Sequence, residues 1–252
     1  MNGFEKHGIT YTSPTSINMY VEAPCAWAAK YLFGAKFKFG VAAKIGLLVE
    51  DVVAEVLLGR SFDESLSDAE QQYRKYTALN TSEKDIKRIQ DIKPMSELAL
   101  NILKPYGEPE FAPGLGKRKQ QKIEIKCQGG EWELPIIGYL DFVFPKHGLI
   151  IDLKTTLRCP TTMTDAHQRQ ASIYSAAKGN MDCKMLYVTP KKTNLLGVDD
   201  KNRVLTGIKN VLRRQESFLR FNDKDQIRSC VPLNEQSFYW NGNESLREEL
   251  YG

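Results

Sequence analysis

Histidine is scarce in this chain. His7, His147 and His167 are the three among 252 residues, and none has a partner that would complete a Ser-His-Asp triad. Catalysis of that kind lacks support. No Gly-x-x-x-x-Gly-Lys loop is present, which argues against a self-contained NTP motor. No stretch of eighteen apolar residues occurs, so no membrane span is expected. Met1-Asn-Gly-Phe-Glu-Lys6 lacks the apolar core of a secretory signal. The five cysteines, Cys25, Cys127, Cys159, Cys183 and Cys230, are odd in number and lack framework spacing. They suit a reducing cytoplasm rather than a disulfide scaffold. Cys25 and Cys230 read as small core residues.

What is present is ordinary in bulk: 42% hydrophobic and 26% charged residues, as in globular proteins. The length allows one large core or two small ones, and a single domain over 1–252 is favoured. A net charge of +4 permits binding a polyanion without demanding it.

The informative feature is a pair of aspartates in apolar strands. Asp141 lies in Ile136-Ile-Gly-Tyr-Leu-Asp-Phe-Val-Phe144, and Asp152 in Leu149-Ile-Ile-Asp-Leu-Lys-Thr-Thr156, with the turn Pro145-Lys-His-Gly148 between them. Burying a carboxylate in such a strand is costly. The period of two puts Asp152 and Lys154 on one face and Leu149, Ile151 and Leu153 on the other. Asp141 would share a face with Ile137 and Val143. A hairpin can bring the two carboxylates together, where they repel unless one protonates or a hard cation sits between them. The bland alternative is a solvated Asp-x-Lys face, or a salt bridge from Asp141 to Lys154.

A helix from Val41 to about Leu58 presents Val41, Ile45, Leu48, Val49, Val52 and Val56 as one apolar face. Glu50 lies off that face, one turn after Gly46, whose missing side chain would leave room for a metal, water or strand. Glu55 is the competing acidic residue.

These segments resemble the PD-(D/E)XK nuclease superfamily, and within it the RecB-like exonuclease branch of CRISPR-adaptation and phage-encoded nucleases. Four motifs carry the resemblance: Gly46-Leu-Leu-Val-Glu50, Gly138-Tyr-Leu-Asp141, Asp152-Leu-Lys-Thr155 and Gln170-Ala-Ser-Ile-Tyr174. Near the start, Ser13-Pro-Thr-Ser16 and Pro24-Cys-Ala-Trp27 are similar to the branch's helix cap and Cys-Pro element, with the last pair in reversed order. The resemblance implies a restriction-endonuclease-like α/β fold, a mixed central sheet flanked by helices. It implies one or two Mg2+ or Mn2+ ions bound by Glu50, Asp141, Asp152 and the Leu153 carbonyl, with Lys154 beside the attacking water. Gln170 and Tyr174 would contact DNA. The expected activity is that of a metal-dependent deoxyribonuclease, an exonuclease of repair, recombination or phage DNA processing, in the cytoplasm (the host's, if phage-encoded). Open alternatives are a silent DNA-binding or assembly subunit, a structure-specific endonuclease, an RNA nuclease or a metal-dependent phosphatase. A homo-oligomer or a recombination or replication protein partner is possible on this reading. Branch members with an iron–sulfur cluster use three clustered late cysteines; only Cys230 lies late here, so no cluster is expected.

The remaining segments frame this core. A helical elaboration is expected over about 61–104, with a capping box at Ser67-Asp-Ala-Glu70, a helix start at Thr81 or Ser82 and an interruption at Pro94. The catalytic core is expected over about 117–221. Lys117-Arg-Lys119, with Lys122 and Lys126, forms a basic cluster suited to phosphate contact. Gln121 to Lys126 alternates like an edge strand, with Glu124 outward and Glu131 to Leu134 as its pairing partner. Thr164 to Ala177 reads as a helix, with His167 exposed near its start; it could touch a phosphate, but a lone exposed histidine is usually nothing more. Met185 to Val188 reads as a strand that completes the sheet, with the basic loop Thr189-Pro-Lys-Lys192 at its end. A last helix from Leu205 to Phe221 would pack on the sheet and carry the basic residues Lys209, Arg213, Arg214 and Arg220, following Arg203. The tail after Ser229 reads as irregular, with Phe238, Tyr239 and Trp240 expected to fold back onto the body.

Overall fold

The computed structural model describes residues 2–38, 40–79, 82–111, 120–125 and 133–252. In chain order its elements are helices α1 (Gly3–Lys6), α2 (Pro14–Glu22), α3 (Pro24–Tyr31), α4 (Val41–Leu57), α5 (Phe62–Tyr76), α6 (Glu83–Lys87) and α7 (Ile92–Leu103). Strands β1 (Gln121–Ile125), β2 (Ile136–Leu140), β3 (Phe142–Phe144) and β4 (Leu149–Thr155) follow. Then come α8 (Asp165–Ala177), β5 (Asp182–Val188), β6 (Thr193–Leu196), α9 (Lys201–Phe221), α10 (Lys224–Cys230) and α11 (Glu244–Tyr251). The central sheet is mixed, in the order β3-β4-β5-β6, with β4 and β5 parallel and the outer pairs antiparallel. Helices cover both faces, as the restriction-endonuclease-like fold requires. Among the described residues, no helix is long and apolar enough to cross a membrane.

The alternation along β4 sorts two cores. Leu149, Ile151 and Leu153 join Phe142, Phe144, Leu186 and Val188 against α4, α5 and α7. Ile150 faces the other way with Val143, Met185 and Tyr187, against α2, α3, α8 and α9. Each fully buried aliphatic side chain contributes roughly 1.5–3 kcal/mol, so the two-sided burial of β4 pins its register. A shift by one residue would put Asp152 into the α4 side of the core. The turn from β3 to β4 closes with Gly148 in the left-handed region at φ 58, where a side chain would be strained.

The segment around Asp141 departs from the uninterrupted strand expected for Ile136 to Phe144. The strand breaks at Asp141, and β2 pairs with β1 while β3 pairs with β4. Ile136, Leu140 and Val143 all face the same core, so the alternation slips by one residue there. Asp141 therefore does not share a simple strand face with Val143. β1 takes β2 as its partner rather than Glu131 to Leu134, of which 131 and 132 lie outside the described residues.

Other expectations also need correction. Ser67 to Glu70 lies inside α5, because Leu66, Ala69 and Tyr73 form a buried stripe that carries the helix through, from its start after Ser61. The break before α7 falls at Arg88–Asp91. Pro94 sits in the first turn of α7, where backbone N–H groups lack helical partners in any case. β5 is interior, and the edge is β6, whose four half-buried residues give no alternation to read. Helix α9 begins at Lys201 and packs chiefly on α1, α8 and α2 rather than on the sheet. The tail is ordered: α10 and α11 form, and Trp240 is buried against Phe37, with ring centroids 5.4 Å apart. Phe238 stays 62% exposed. Cys25 is buried as expected, Cys230 is exposed at the end of α10, and Cys127 lies outside the described residues.

Two glycines let elements approach the site. A Cβ on Gly138 would lie 2.7 Å from Tyr174 Cε1 and 3.3 Å from Ile123. One on Gly46 would lie 3.1 Å from Thr155 Oγ1, a smaller intrusion on α4. Gly138→Ala is expected to lower stability by about 1–3 kcal/mol through overpacking. Gly46→Ala should lie near neutral, because better helix propensity offsets the contact by about 1 kcal/mol. Urea unfolding of the two variants checks this; equal losses would contradict the difference in contact.

Candidate active site

Strand registers bring the polar groups into one row. Gln121 pairs with Leu140, so Gln120 lies one step further on, opposite Asp141. Phe142 pairs with Ile151, so the next step sets Asp141 opposite Asp152. Asp141 is the point where β2 leaves the main sheet, and its Oδ2 accepts a hydrogen bond from the Leu153 N–H at 2.9 Å. The carboxylate stands in for the missing ladder partner. Glu50 reaches this edge from α4. The Gln120 amide nitrogen donates to Glu50 Oε1 at 2.8 Å and to Asp141 Oδ1 at 2.7 Å.

On β4, Asp152 is 1% exposed. Its Oδ1 accepts from Gln170 Nε2 at 2.9 Å, and the same nitrogen lies 2.9 Å from the Tyr174 hydroxyl. Lys154 Nζ lies 2.5 Å from Asp152 Oδ2, with 26% of the lysine side chain accessible. The ammonium is the partner of this buried oxygen, which has no other donor among the described residues. Glu50, Gln120, Asp141, Asp152, Lys154, Gln170 and Tyr174 line one cleft of about 610 Å³.

The electrostatics follow from crowding. Burial, then the charges of Asp141 and Asp152, push the Glu50 carboxyl up to about 9. Burial and Asp152 push Asp141 up to about 7, against the opposing pull of Lys154 and the Leu153 N–H. Burial pulls Lys154 down, but Asp152 and Asp141 outweigh it, so the ammonium is held above its ordinary range and stays charged. One ammonium faces three acidic groups. This excess of buried carboxylate oxygen over cationic partners fits a hard divalent cation. Among the described residues, no three His, Cys, Asp or Glu side chains form a ready-made metal cluster, because Gln120 and Lys154 stand between the carboxylates.

The other sequence candidates fall out as follows. Glu55 pairs with Arg60 at 2.5 Å, which leaves Glu50 as the acidic residue of α4 at the cleft. Glu124 is exposed on β1. His167 is half-buried rather than exposed, and its Nδ1 lies 2.6 Å from the Tyr187 hydroxyl. Burial and then the Lys154 charge lower it to about 4, so it is neutral and offers a phosphate no cation. On α9, Arg220 pairs with Glu216 at 2.6 Å, Arg213 lies 3.8 Å from Glu133, and none of the α9 basic residues lines the cleft. Lys117, Arg118 and Lys119 lie outside the described residues. Sequence reasoning missed Gln120 and the cleft-lining Tyr11, Tyr31 and Tyr139. Gln120 becomes visible only once the β1–β2 register is known.

The sequence profile of the PD-(D/E)XK nuclease superfamily matches residues 11–236. The chain belongs to the PD-(D/E)XK nuclease superfamily. The matched stretch includes Glu50, Asp141, Asp152 and Lys154. Membership makes the chain a nuclease, a hydrolase of nucleic acid, in a superfamily that generally uses divalent metals. A search of curated proteins finds no match to the chain. Among solved structures, one titled "Crystal structure of SSO0001" is similar at 16% identity, over 73% of this chain and 84% of that one, with a TM-score of 0.34. A likeness that low carries no argument.

The raised carboxyls set a pH dependence of stability. Folded Glu50 and Asp141 keep their protons to higher pH than the unfolded chain does. As pH rises through the ordinary values of 4.5 and 3.8, the unfolded state ionises first and is favoured. In EDTA, stability is therefore expected to fall from about pH 4.5 and to level off near pH 9. Added Mg2+ or Mn2+ should flatten the fall. Thermal melts followed by circular dichroism check this, and a Tm that rises across the window in EDTA would contradict the buried repulsion.

Proposed function

We propose that this superfamily member is a metal-dependent deoxyribonuclease of the RecB-like branch, an exonuclease of DNA repair, recombination or phage DNA processing, built as a single nuclease domain. The observation that carries the reading is the convergence of Glu50, Asp141, Asp152 and Lys154 on one cleft, with the Gln170–Tyr174 pair beside Asp152. That pair belongs to one of the four motifs that together carry the resemblance to the branch.

Glu50, Asp141, Asp152 and the Leu153 carbonyl would hold one or two divalent ions. The chemistry that Mg2+ or Mn2+ supplies when bound is polarisation of a phosphate oxygen and acidification of a water. Lys154, protonated and partly accessible, would hold the attacking water in line and donate to the phosphate oxygen as its negative charge grows. Gln170 would fix the Asp152 carboxylate through its amide, and Tyr174 would stand behind it toward the strand. Lys191 and Lys192 are exposed in a turn pinned by the buried Thr189, whose hydroxyl accepts from the Lys191 and Lys192 N–H groups at 3.2 and 3.0 Å. With Lys117, Arg118 and Lys119, they would supply contacts to the DNA backbone.

The test is digestion of end-labelled linear and of circular substrates, DNA and RNA, single- and double-stranded, with Mg2+, Mn2+ or EDTA. Loss of linear DNA alone, only with metal, is expected. Asp152→Ala and Lys154→Ala should each abolish cleavage and leave the fold and most DNA affinity intact. Lys191→Ala with Lys192→Ala should weaken DNA binding and lower its salt dependence by up to about two counterions. A folded, metal-supplied Lys154→Ala protein with full activity would refute the mechanism. No digestion with any metal would move the assignment to a silent DNA-binding subunit.

A further inference from the structure

One side of the cleft carries groups that metal chemistry does not use. Tyr11 is 56% exposed and Tyr139 is 52% exposed, both unusually open for aromatic residues, and both line the cleft. Tyr139 lies two residues before Asp141 on β2. Its cross-strand partner on β1 is Lys122, also exposed and also lining the cleft. Tyr11 is held nearby because its neighbour Thr12 is stitched to β2: the Thr12 N–H donates to the Pro135 carbonyl at 2.9 Å, and the Ile137 N–H donates to the Thr12 carbonyl at 2.8 Å. Neither phenol hydrogen-bonds to a described residue, neither ring pairs with another described ring, and Lys122 has no ion-pair partner among the described residues. Tyr31 differs: it is half-buried and stacked on Trp27, at 5.8 Å between centroids, as part of the core.

Open aromatic faces set beside a lysine with no ion-pair partner among the described residues, on a hydrogen-bonded strand pair, match the way proteins grip unpaired bases. Every base has a π-face, and each stacks on an aromatic ring without regard to sequence, while a lysine follows the backbone. In a duplex those faces are stacked on one another, and reaching them requires extrusion of the base. We propose that Tyr11, Tyr139 and Lys122 form a stacking rim that makes single-stranded nucleic acid the substrate of this cleft. The bases next to the scissile phosphate lie on the tyrosines, and Lys122 contacts a neighbouring phosphate. This rests on the nuclease reading of the same cleft and adds the strand state that the cleft takes.

The experiment measures binding of the full chain to fluorescein-labelled single-stranded and duplex oligonucleotides by anisotropy, in Ca2+ and at several salt concentrations. Cleavage of each substrate in Mg2+ is measured in parallel. The wild type should bind single strands more tightly than duplex. Tyr11→Ala with Tyr139→Ala should weaken single-strand binding roughly tenfold or more and barely change duplex binding. Tyr11→Phe with Tyr139→Phe should keep wild-type affinity, since the ring and not the hydroxyl stacks. Lys122→Ala should lower the salt slope by about one counterion. Equal or tighter duplex binding by the wild type, or alanine variants that retain single-strand affinity, would overturn the rim. A melt alongside shows that each variant is folded; should the double alanine variant fail to fold, the single variants and the strand preference of the wild type decide. A chain that binds single strands through these tyrosines yet never cleaves would sink the nuclease reading and leave the rim standing.

Discussion

The site depends on one unfavourable interaction, the crowding of buried carboxylates where β2 peels away from the sheet. Every group around Asp141 answers that repulsion. The Leu153 N–H and the Gln120 amide each bring it a donor, and the Lys154 ammonium brings positive charge to the neighbouring Asp152 at 2.5 Å. A core built for stability alone would not gather these oxygens, because burying them costs more than apolar packing would. Burial and the repulsion hold the Glu50 and Asp141 carboxyls above their ordinary range, and a cation, as the proposed function requires, would relieve the repulsion.

Gln120 is the most economical of these devices. Its two amide hydrogens satisfy carboxylates from a helix and from a strand at once. It does so from a position fixed by backbone pairing rather than by its own long side chain, since the register sets it opposite Asp141. The amide holds two repelling groups in place without a charge of its own.

Much of this was legible in the sequence, for definite reasons. The β4 alternation was readable because both faces are buried and the polar exceptions, Asp152 and Lys154, share one parity. Gly46 and Glu50 were readable from helical spacing, and Gln170 and Tyr174 from their separation by one turn. The break at Asp141 was not, because a slip of one residue leaves an apolar run looking continuous. β6 was hidden by its lack of alternation, and α11 by its charge. The position of α9 escaped because periodicity tells which face is buried but not which neighbour buries it. His167 was misjudged for a similar reason: its burial comes from Tyr187 on a different element.

Two hydrogen bonds tie segments that lie far apart in the sequence. The Gly3 N–H bonds Glu216 Oε1 in α9, and the Tyr251 hydroxyl bonds the Cys25 carbonyl in α3 across 226 residues. Helix α3, which carries the cleft-lining Tyr31, is thus tied directly to α11. A tie across 226 residues is a non-local contact, of the kind that forms slowly relative to local helices, so α3 is held in place by a restraint that local structure alone does not supply.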